Sequence, residues 1–298
     1  MSRLRHLSLV TSEGFADYAL LDSGAGRKLE RFGKIVVDRP EPQALWQPRL
    51  GLAEWAKANA VFSASGEDDE KGKWRIDKPV PDSWPVTIHG VTMLCKLAGL
   101  WHLGLFPEQL PHWQWMAERI AAVKGETPRV LNLFGYTGAA SLLAAKAGAE
   151  VTHVDASKKA IAWGKENQSA SKLDAAKVRW ILDDAAKFVA REVRRGKTYH
   201  VILVDPPKFG RGPAGEVWDL FTHLSPLLDH CAKLLAPNDA AMVLTVYAIR
   251  ASALAFDQLL RDTLKGKGGS YDTGELAIEA IGGHAIPTSL FVRWRAGE

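Results

Sequence analysis

From residue 129 onward, short apolar runs alternate with longer stretches in which apolar residues recur every three or four positions. The runs, bounded by turn signals, predict buried strands at 130–134, 151–155, 178–182, 201–205 and 241–246. The periodic stretches between them, rich in Ala, Leu and Lys, predict helices at 139–147, 158–169, 184–195 and 217–235. Such alternation indicates βαβ units on a mostly parallel sheet. After a predicted helix at 251–265, strands at 274–280 and 289–295 follow with no crossover helix between them. The expectation is therefore an α/β domain with a seven-stranded mixed sheet that ends in a hairpin edge.

Upstream of residue 118 the pattern changes. Short strand-like runs at 18–21, 29–32 and 34–37 are separated by Ser23-Gly24-Ala25-Gly26 and other turn signals, which predicts a small antiparallel β unit. The polar, acidic stretch 63–72 predicts a surface loop. A further strand is expected at 86–89, then an irregular aromatic connector over 97–111 and a helix at 113–124. Seven of the 11 Trp and eight of the 15 Pro lie in this first part. The expected division is thus a small β-rich domain at 1–118 and a second domain at 119–298.

Composition narrows the class. Hydrophobic content of 47% and charged content of 24% in 298 residues are those of an ordinary globular protein. No apolar run is long enough to cross a membrane, and no apolar segment of signal-peptide length follows Arg3, Arg5 and His6, so a cytoplasmic protein without membrane contact is expected. Two cysteines, Cys95 and Cys231, are too few for a disulfide framework or a zinc site, and the histidines show no ligand spacing, so no metal is expected. The formal net charge of +4 is unevenly placed: residues 1–118 carry 14 Lys+Arg against 15 Asp+Glu, and residues 119–298 carry 24 against 19. Part of that excess is the cluster Arg191, Arg194, Arg195 and Lys197, which reads either as a solvated helix end or as a contact for an RNA backbone.

Candidate residues stand at four predicted strand ends. Phe134-Gly135-Tyr136-Thr137-Gly138 follows the first strand of the second domain and opens a helix, where a ligand meets the sheet's C-terminal edge. Its G-x-x-G spacing lacks the G-x-G-x-x-G of dinucleotide sites, which disfavours a dehydrogenase. Asp155 ends the next strand, where a carboxylate can accept from both ribose hydroxyls or simply close the strand. Ser157 is either a ligand contact or the cap of the following helix. Asp183 and Asp184 end the third strand, where one can meet an adenine amino group and Asp184 can equally cap a helix. Asp205-Pro206-Pro207-Lys208-Phe209 ends the fourth. Two prolines forbid further ladder bonding and fix the carbonyl directions, so Asp205 and the Pro206 carbonyl can orient an acceptor nitrogen while Phe209 stacks on a base. Lys208 points to a phosphate or to solvent.

Residues 129–250 resemble the catalytic domain of class I S-adenosylmethionine-dependent methyltransferases, and in particular bacterial large-subunit ribosomal RNA methyltransferases. The motifs that carry the resemblance are Leu131-Asn132-Leu133-Phe134-Gly135-Tyr136-Thr137-Gly138 and Asp205-Pro206-Pro207-Lys208-Phe209. It implies a Rossmann-like domain with S-adenosylmethionine as cofactor, Phe134 to Gly138 lining its methionine moiety, Asp155 at the ribose and Asp184 at the adenine. It further implies a ribosomal RNA substrate. Residues 104–109 correspond to a family segment ahead of that domain, without its final Arg, and either approach the pocket or pack Phe106 and Trp101 against the catalytic domain. Family members that make 5-methylcytosine need a cysteine nucleophile after the fifth strand. Here that stretch is Thr245-Val246-Tyr247, which favours a base nitrogen as acceptor. A methyltransferase acting on a small molecule or a protein, and a non-catalytic cofactor-binding module, remain alternatives. Nothing in the sequence sets the oligomeric state.

Overall fold

The computed structural model describes residues 6–65, 68–98, 101–247 and 250–297. Contacts divide the chain into two units: Met1–Val10 with Pro111–Leu276 and Thr288–Glu298, and Thr11–Leu110 with Ala277–Pro287. The expectation was one boundary at 118. In the structure the chain changes unit at Val10/Thr11, at Leu110/Pro111, and again at the ends of the segment 277–287. The change at Leu110/Pro111 falls just ahead of the helix expected at 113–124, whose Trp113, Met116 and Ile120 are buried.

The smaller unit is built on a five-stranded sheet. After β1 (Ser8–Ser12), which belongs to the other sheet, come β2 (Tyr18–Gly24), β3 (Arg27–Phe32), β4 (Ile35–Pro40), the short helix α1 (Leu52–Trp55), β5 (Ala60–Ser65) and β6 (Asp68–Ile76). Their order is β2-β3-β4-β5-β6, with β4 and β5 parallel and the remaining pairs antiparallel. The stretch expected as a loop at 63–72 is instead mostly strand, with residues 66–67 outside the described residues. Pairing is made by the backbone, and polar residues suit an edge strand such as β6. A separate hairpin, β7 (Trp84–Ile88) with β8 (Val91–Cys95), carries alternately buried positions. Within this unit Arg39 and Glu30 form a buried ion pair at 2.6 Å, and the Tyr18 hydroxyl donates to Glu30 at 2.9 Å. Residues 104–109 lie in this unit and end in a 3-10 turn at Pro107–Gln109. There Phe106 stands edge-on to His102 with 5.0 Å between ring centroids.

From α2 (Leu110–Ala122) on, the larger unit follows the predicted alternation: β9 (Arg129–Leu133), α3 (Ala139–Lys146), β10 (Glu150–Asp155), α4 (Lys158–Ala170), β11 (Val178–Leu182), α5 (Ala185–Arg194) and β12 (Val201–Val204). Next comes a feature absent from the sequence reading, a hairpin of β13 (Phe209–Arg211) and β14 (Val217–Asp219). The helix expected at 217–235 therefore begins only at Leu220, as α6 (Leu220–Lys233), with Asp219 as its cap. Then follow β15 (Ala241–Tyr247), α7 (Ala253–Thr263), β16 (Ser270–Glu279) and β17 (Ala285–Arg295).

The sheet order is β1-β16-β17-β15-β12-β9-β10-β11. It has eight strands rather than the expected seven. The additional one is β1, whose five residues alternate in exposure as an edge strand does and give too short a pattern to read in isolation. β9, β10, β11, β12 and β15 are parallel, and β17 runs antiparallel to β15. All four residues of β12 are buried, as expected for a central parallel strand covered on both faces. Leu131, Leu133, Ile202, Val204 and Leu244 share one core with Phe188 of α5, Leu224, Leu227, Leu228 and Cys231 of α6, and Phe256 and Leu260 of α7. Each such burial is worth about 1.5–3 kcal/mol, so the central strand ends are held rigidly.

Candidate functional site

Register brings the motifs level. Leu133 of β9 is paired with Val204 of β12 and with Val154 of β10. The residues just beyond, Phe134, Asp155 and Asp205, thus leave adjacent strands at one edge, the C-terminal edge where open α/β sheets receive ligands.

The turn after β9 is bent by three left-handed residues: Phe134 (φ 56°), Tyr136 (φ 50°) and Gly138 (φ 86°). The two aromatic ones are strained, each by about 1–3 kcal/mol. Gly135 is required for a different reason from close ligand approach. A Cβ there would run into the His153 ring and come within 2.9 Å of Asn132 Nδ2. Beneath the turn, Asn132 donates to Ser141 Oγ at 2.9 Å, and Ser141 lies 2.9 Å from His153 Nδ1. Burial pushes the His153 pKa down to about 3, so the ring is neutral. This Asn132–Ser141–His153 support was not anticipated. Its one sequence signal is polar residues inside strands, Asn132 in β9 and His153 beside Thr152 in β10.

Asp155 fastens the turn from the other side. Its Oδ2 accepts from the Tyr136 amide at 2.8 Å and its Oδ1 from the Ser157 amide at 2.7 Å. Burial raises its pKa, and the two amide bonds oppose that shift. A carboxylate has about four acceptor sites, so ribose hydroxyls can share oxygens that already hold the loop. Ser157 takes the alternative role considered for it. Its Oγ accepts from Ala160 N at 3.2 Å as the cap of α4. Asp184 likewise caps α5 through Lys187 N at 2.9 Å, while Asp183 accepts from the Asp184 amide and pairs with Arg191.

The helices α4, α5, α6 and α7 all carry a side-chain cap, from Ser157, Asp184, Asp219 and Ser252. At α3 the cap residue is Gly138, with no side-chain hydrogen bond. Its first amides face the same sheet edge as Asp155. Uncapped amides for a carboxylate and a carboxylate for a diol together fit the amino-acid and ribose ends of S-adenosylmethionine.

The acceptor-side motif is tied to this turn by Trp218. Its indole Nε1 donates to the Pro207 carbonyl at 2.7 Å, and its ring lies 4.9 Å from that of Phe134. Trp218 sits on the buried face of the β13–β14 hairpin. The opposite face carries Phe209, which is 61% exposed and has the Lys208 ammonium 5.2 Å from its ring. Pro206 is buried and Pro207 exposed.

Both cysteines are buried, and burial pushes each thiol up to about 12. Of the basic cluster at the end of α5, Arg191 is paired with Asp183 and Arg195 with Glu192 at 3.0 Å. Arg194 and Lys197 of the cluster are exposed. Among the described residues no group of three His, Cys, Asp or Glu is placed to hold a metal, and no helix is long and apolar enough to cross a membrane.

Comparison with known proteins identifies the family. A methyltransferase from Agrobacterium tumefaciens, described as S-adenosylmethionine-dependent, has a crystal structure that superposes with a TM-score of 0.92 at 47% identity, over 99% of this chain and 97% of that one. The large-subunit ribosomal RNA methyltransferase I of Cronobacter sakazakii is 29% identical over 67% of this chain and 54% of its own length. The large-subunit ribosomal RNA methyltransferase K/L of Shewanella frigidimarina is 34% identical over 50% of this chain and 20% of its own. The chain thus spans about half, or a fifth, of the length of these curated relatives. The sequence profile of S-adenosylmethionine-dependent methyltransferases matches residues 53–271, well beyond the 129–250 that carry the motifs. The chain belongs to the family of S-adenosylmethionine-dependent methyltransferases.

Proposed function

We propose that this protein is an enzyme that methylates a base nitrogen of ribosomal RNA. The observation that carries the reading is the Trp218 bridge, which locks the Asp205-Pro206-Pro207 end of β12 to the Phe134 turn at the end of the neighbouring strand β9. The ribosomal part of the reading draws on the names of the relatives from Cronobacter and Shewanella. Such a substrate implies a cytoplasmic enzyme.

S-adenosylmethionine supplies an electrophilic methyl carbon on its sulfonium. The α3 amides beyond Gly138 would receive its carboxylate, and Asp155 its ribose. Asp183, or the second oxygen of Asp184, would meet the adenine amino group. Asp205 and the Pro206 carbonyl would accept the hydrogens of an exocyclic or ring nitrogen and aim its lone pair along the line of transfer, with Phe209 against the base plane. The rate gain would come from alignment, which in well-oriented systems is worth about 7–11 kcal/mol. Nitrogen is favoured over carbon because carbon-5 of a pyrimidine needs a thiolate, and both thiols here are buried and protonated.

The test is transfer of radiolabelled methyl groups to ribosomal RNA from a deletion strain, with the labelled nucleoside identified. Label in an N-methylated nucleoside is expected and should be lost in Asp205→Ala. Label only in a small metabolite or a protein would overturn the reading.

A further inference from the structure

The β13–β14 hairpin has two faces with opposite characters. Trp218 points inward and is buried. On the outer face Phe209 and Arg211 of β13 are exposed, and Val217 of β14 is 63% exposed. One turn on, at the start of α6, Phe221 is 63% exposed as well. Three large apolar side chains thus stand in water within 13 residues, directly after the Asp205-Pro206-Pro207 motif, and Lys208 and Arg211 stand among them. The nearby carboxylates are engaged. Glu216 pairs with Lys187 and accepts from the Ala214 amide at 2.9 Å, and Asp219 caps α6 through Thr222.

We infer that this outer face is a landing surface for a single-stranded RNA segment next to the acceptor base. The inference rests on the reading that the acceptor is an RNA base, and it adds Arg211, Val217 and Phe221 to the substrate-binding residues. Bases offer flat π-faces that stack on aromatic side chains, and phosphates offer charge to Lys208 and Arg211. A protein partner that covered the same apolar side chains would have to supply its own acids to Lys208 and Arg211, whereas any RNA segment brings a phosphate with each nucleotide. Because the inner face of the hairpin holds Pro207 and Phe134 through Trp218, RNA seated outside would also fix the acceptor loop in place.

The experiment is fluorescence anisotropy of a labelled 12-nucleotide, uridine-rich single-stranded RNA with the full chain, as wild type, Phe221→Ala and Arg211→Glu. Base–aromatic stacking of this kind predicts about tenfold weaker binding for Phe221→Ala. Arg211→Glu should lower the slope of log affinity against log salt by about one or more. Both side chains are exposed, so calorimetric affinity for S-adenosylmethionine should stay at the wild-type value in both variants and report intact folding. Equal RNA binding by wild type and both variants, or none by the wild type, would overturn the inference. So would a homodimer or a bound protein that Phe221→Ala releases. A parallel ribosomal RNA labelling assay separates the two ideas. Labelled RNA with variant-insensitive oligonucleotide binding sinks the surface alone. Variant-sensitive binding without RNA labelling sinks the methylation reading and leaves a nucleic-acid surface.

Discussion

Trp218 donates its indole N–H to the carbonyl of Pro207 at 2.7 Å, so a residue 11 positions downstream fixes the direction of that carbonyl. The ring of the same side chain rests on Phe134 of the cofactor-side turn. Replacing Trp218 with Phe keeps most of the ring packing and removes the donor. The expected result is a fall in kcat of about tenfold, the worth of one hydrogen bond, with the dissociation constant for S-adenosylmethionine changed less than about threefold. Single-turnover kinetics beside calorimetry would check this. An equal loss in both quantities would mean that Trp218 is a packing residue only.

Gly135→Ala places a methyl group against His153. Overpacking of this kind costs about 1–3 kcal/mol, visible as a lower urea midpoint. Adding His153→Ala should return part of that loss. A double-mutant cycle with no coupling would show that the two residues do not press on each other.

Asp155→Ala leaves the Tyr136 and Ser157 amides without their acceptor. Hydrogen bonds to a charged group are worth about 1.5–3 kcal/mol, so affinity for S-adenosylmethionine should fall by roughly 10- to 100-fold. Calorimetry on the two proteins decides. Unchanged affinity would remove Asp155 from the cofactor site.

Two buried histidines, His112 and His153, and the half-buried His102 make the fold acid-sensitive. Burial pushes His102 and His153 down to about 3 and His112 well below its ordinary value near 6.5. The unfolded chain therefore binds protons between pH 6.5 and 3 that the folded chain refuses. Their stabilisation is complete above about pH 7 and is lost as pH falls through that window, at about 1.4 kcal/mol per pH unit for each histidine. Urea midpoints from pH 7.5 to 5 should drop, and less steeply in His153→Gln.

Cys95 and Cys231 should resist alkylation by iodoacetamide at pH 7 in the native protein and react once it is unfolded. Rapid labelling of the native protein, together with loss of methyl transfer, would reopen pyrimidine carbon as the acceptor.

The sequence made the sheet's centre legible, because β9, β10, β12 and β15 are apolar runs that end in turn chemistry. It also placed Phe134, Asp155 and Asp205 at strand ends. It failed where backbone pairing outweighs composition. Phe209–Arg211 contains a glycine and a cation in three residues, so no period can announce a strand, and Val217 continued the apolar rhythm of α6 closely enough to be read as helix. The acidic stretch at 63–72 misled for the same reason, since ladder bonds are indifferent to side-chain charge at an edge. The reason for Gly135 was hidden too, because the Cβ it lacks would meet a histidine from the neighbouring strand.

The outermost strand of the large sheet gives the chain a timetable. β1 hydrogen-bonds to β16, and Ser8 reaches the Asp272 carboxylate across 264 residues of sequence. During synthesis β1 must wait until the strand that holds Asp272, 264 residues after Ser8, has left the ribosome before its partner exists. Closing so long a loop adds little to the entropic cost, which grows only logarithmically with length, but it orders events. The central parallel strands can assemble early, and the edge that β1 seals stays open to the solvent, or to another chain, until β16 has emerged.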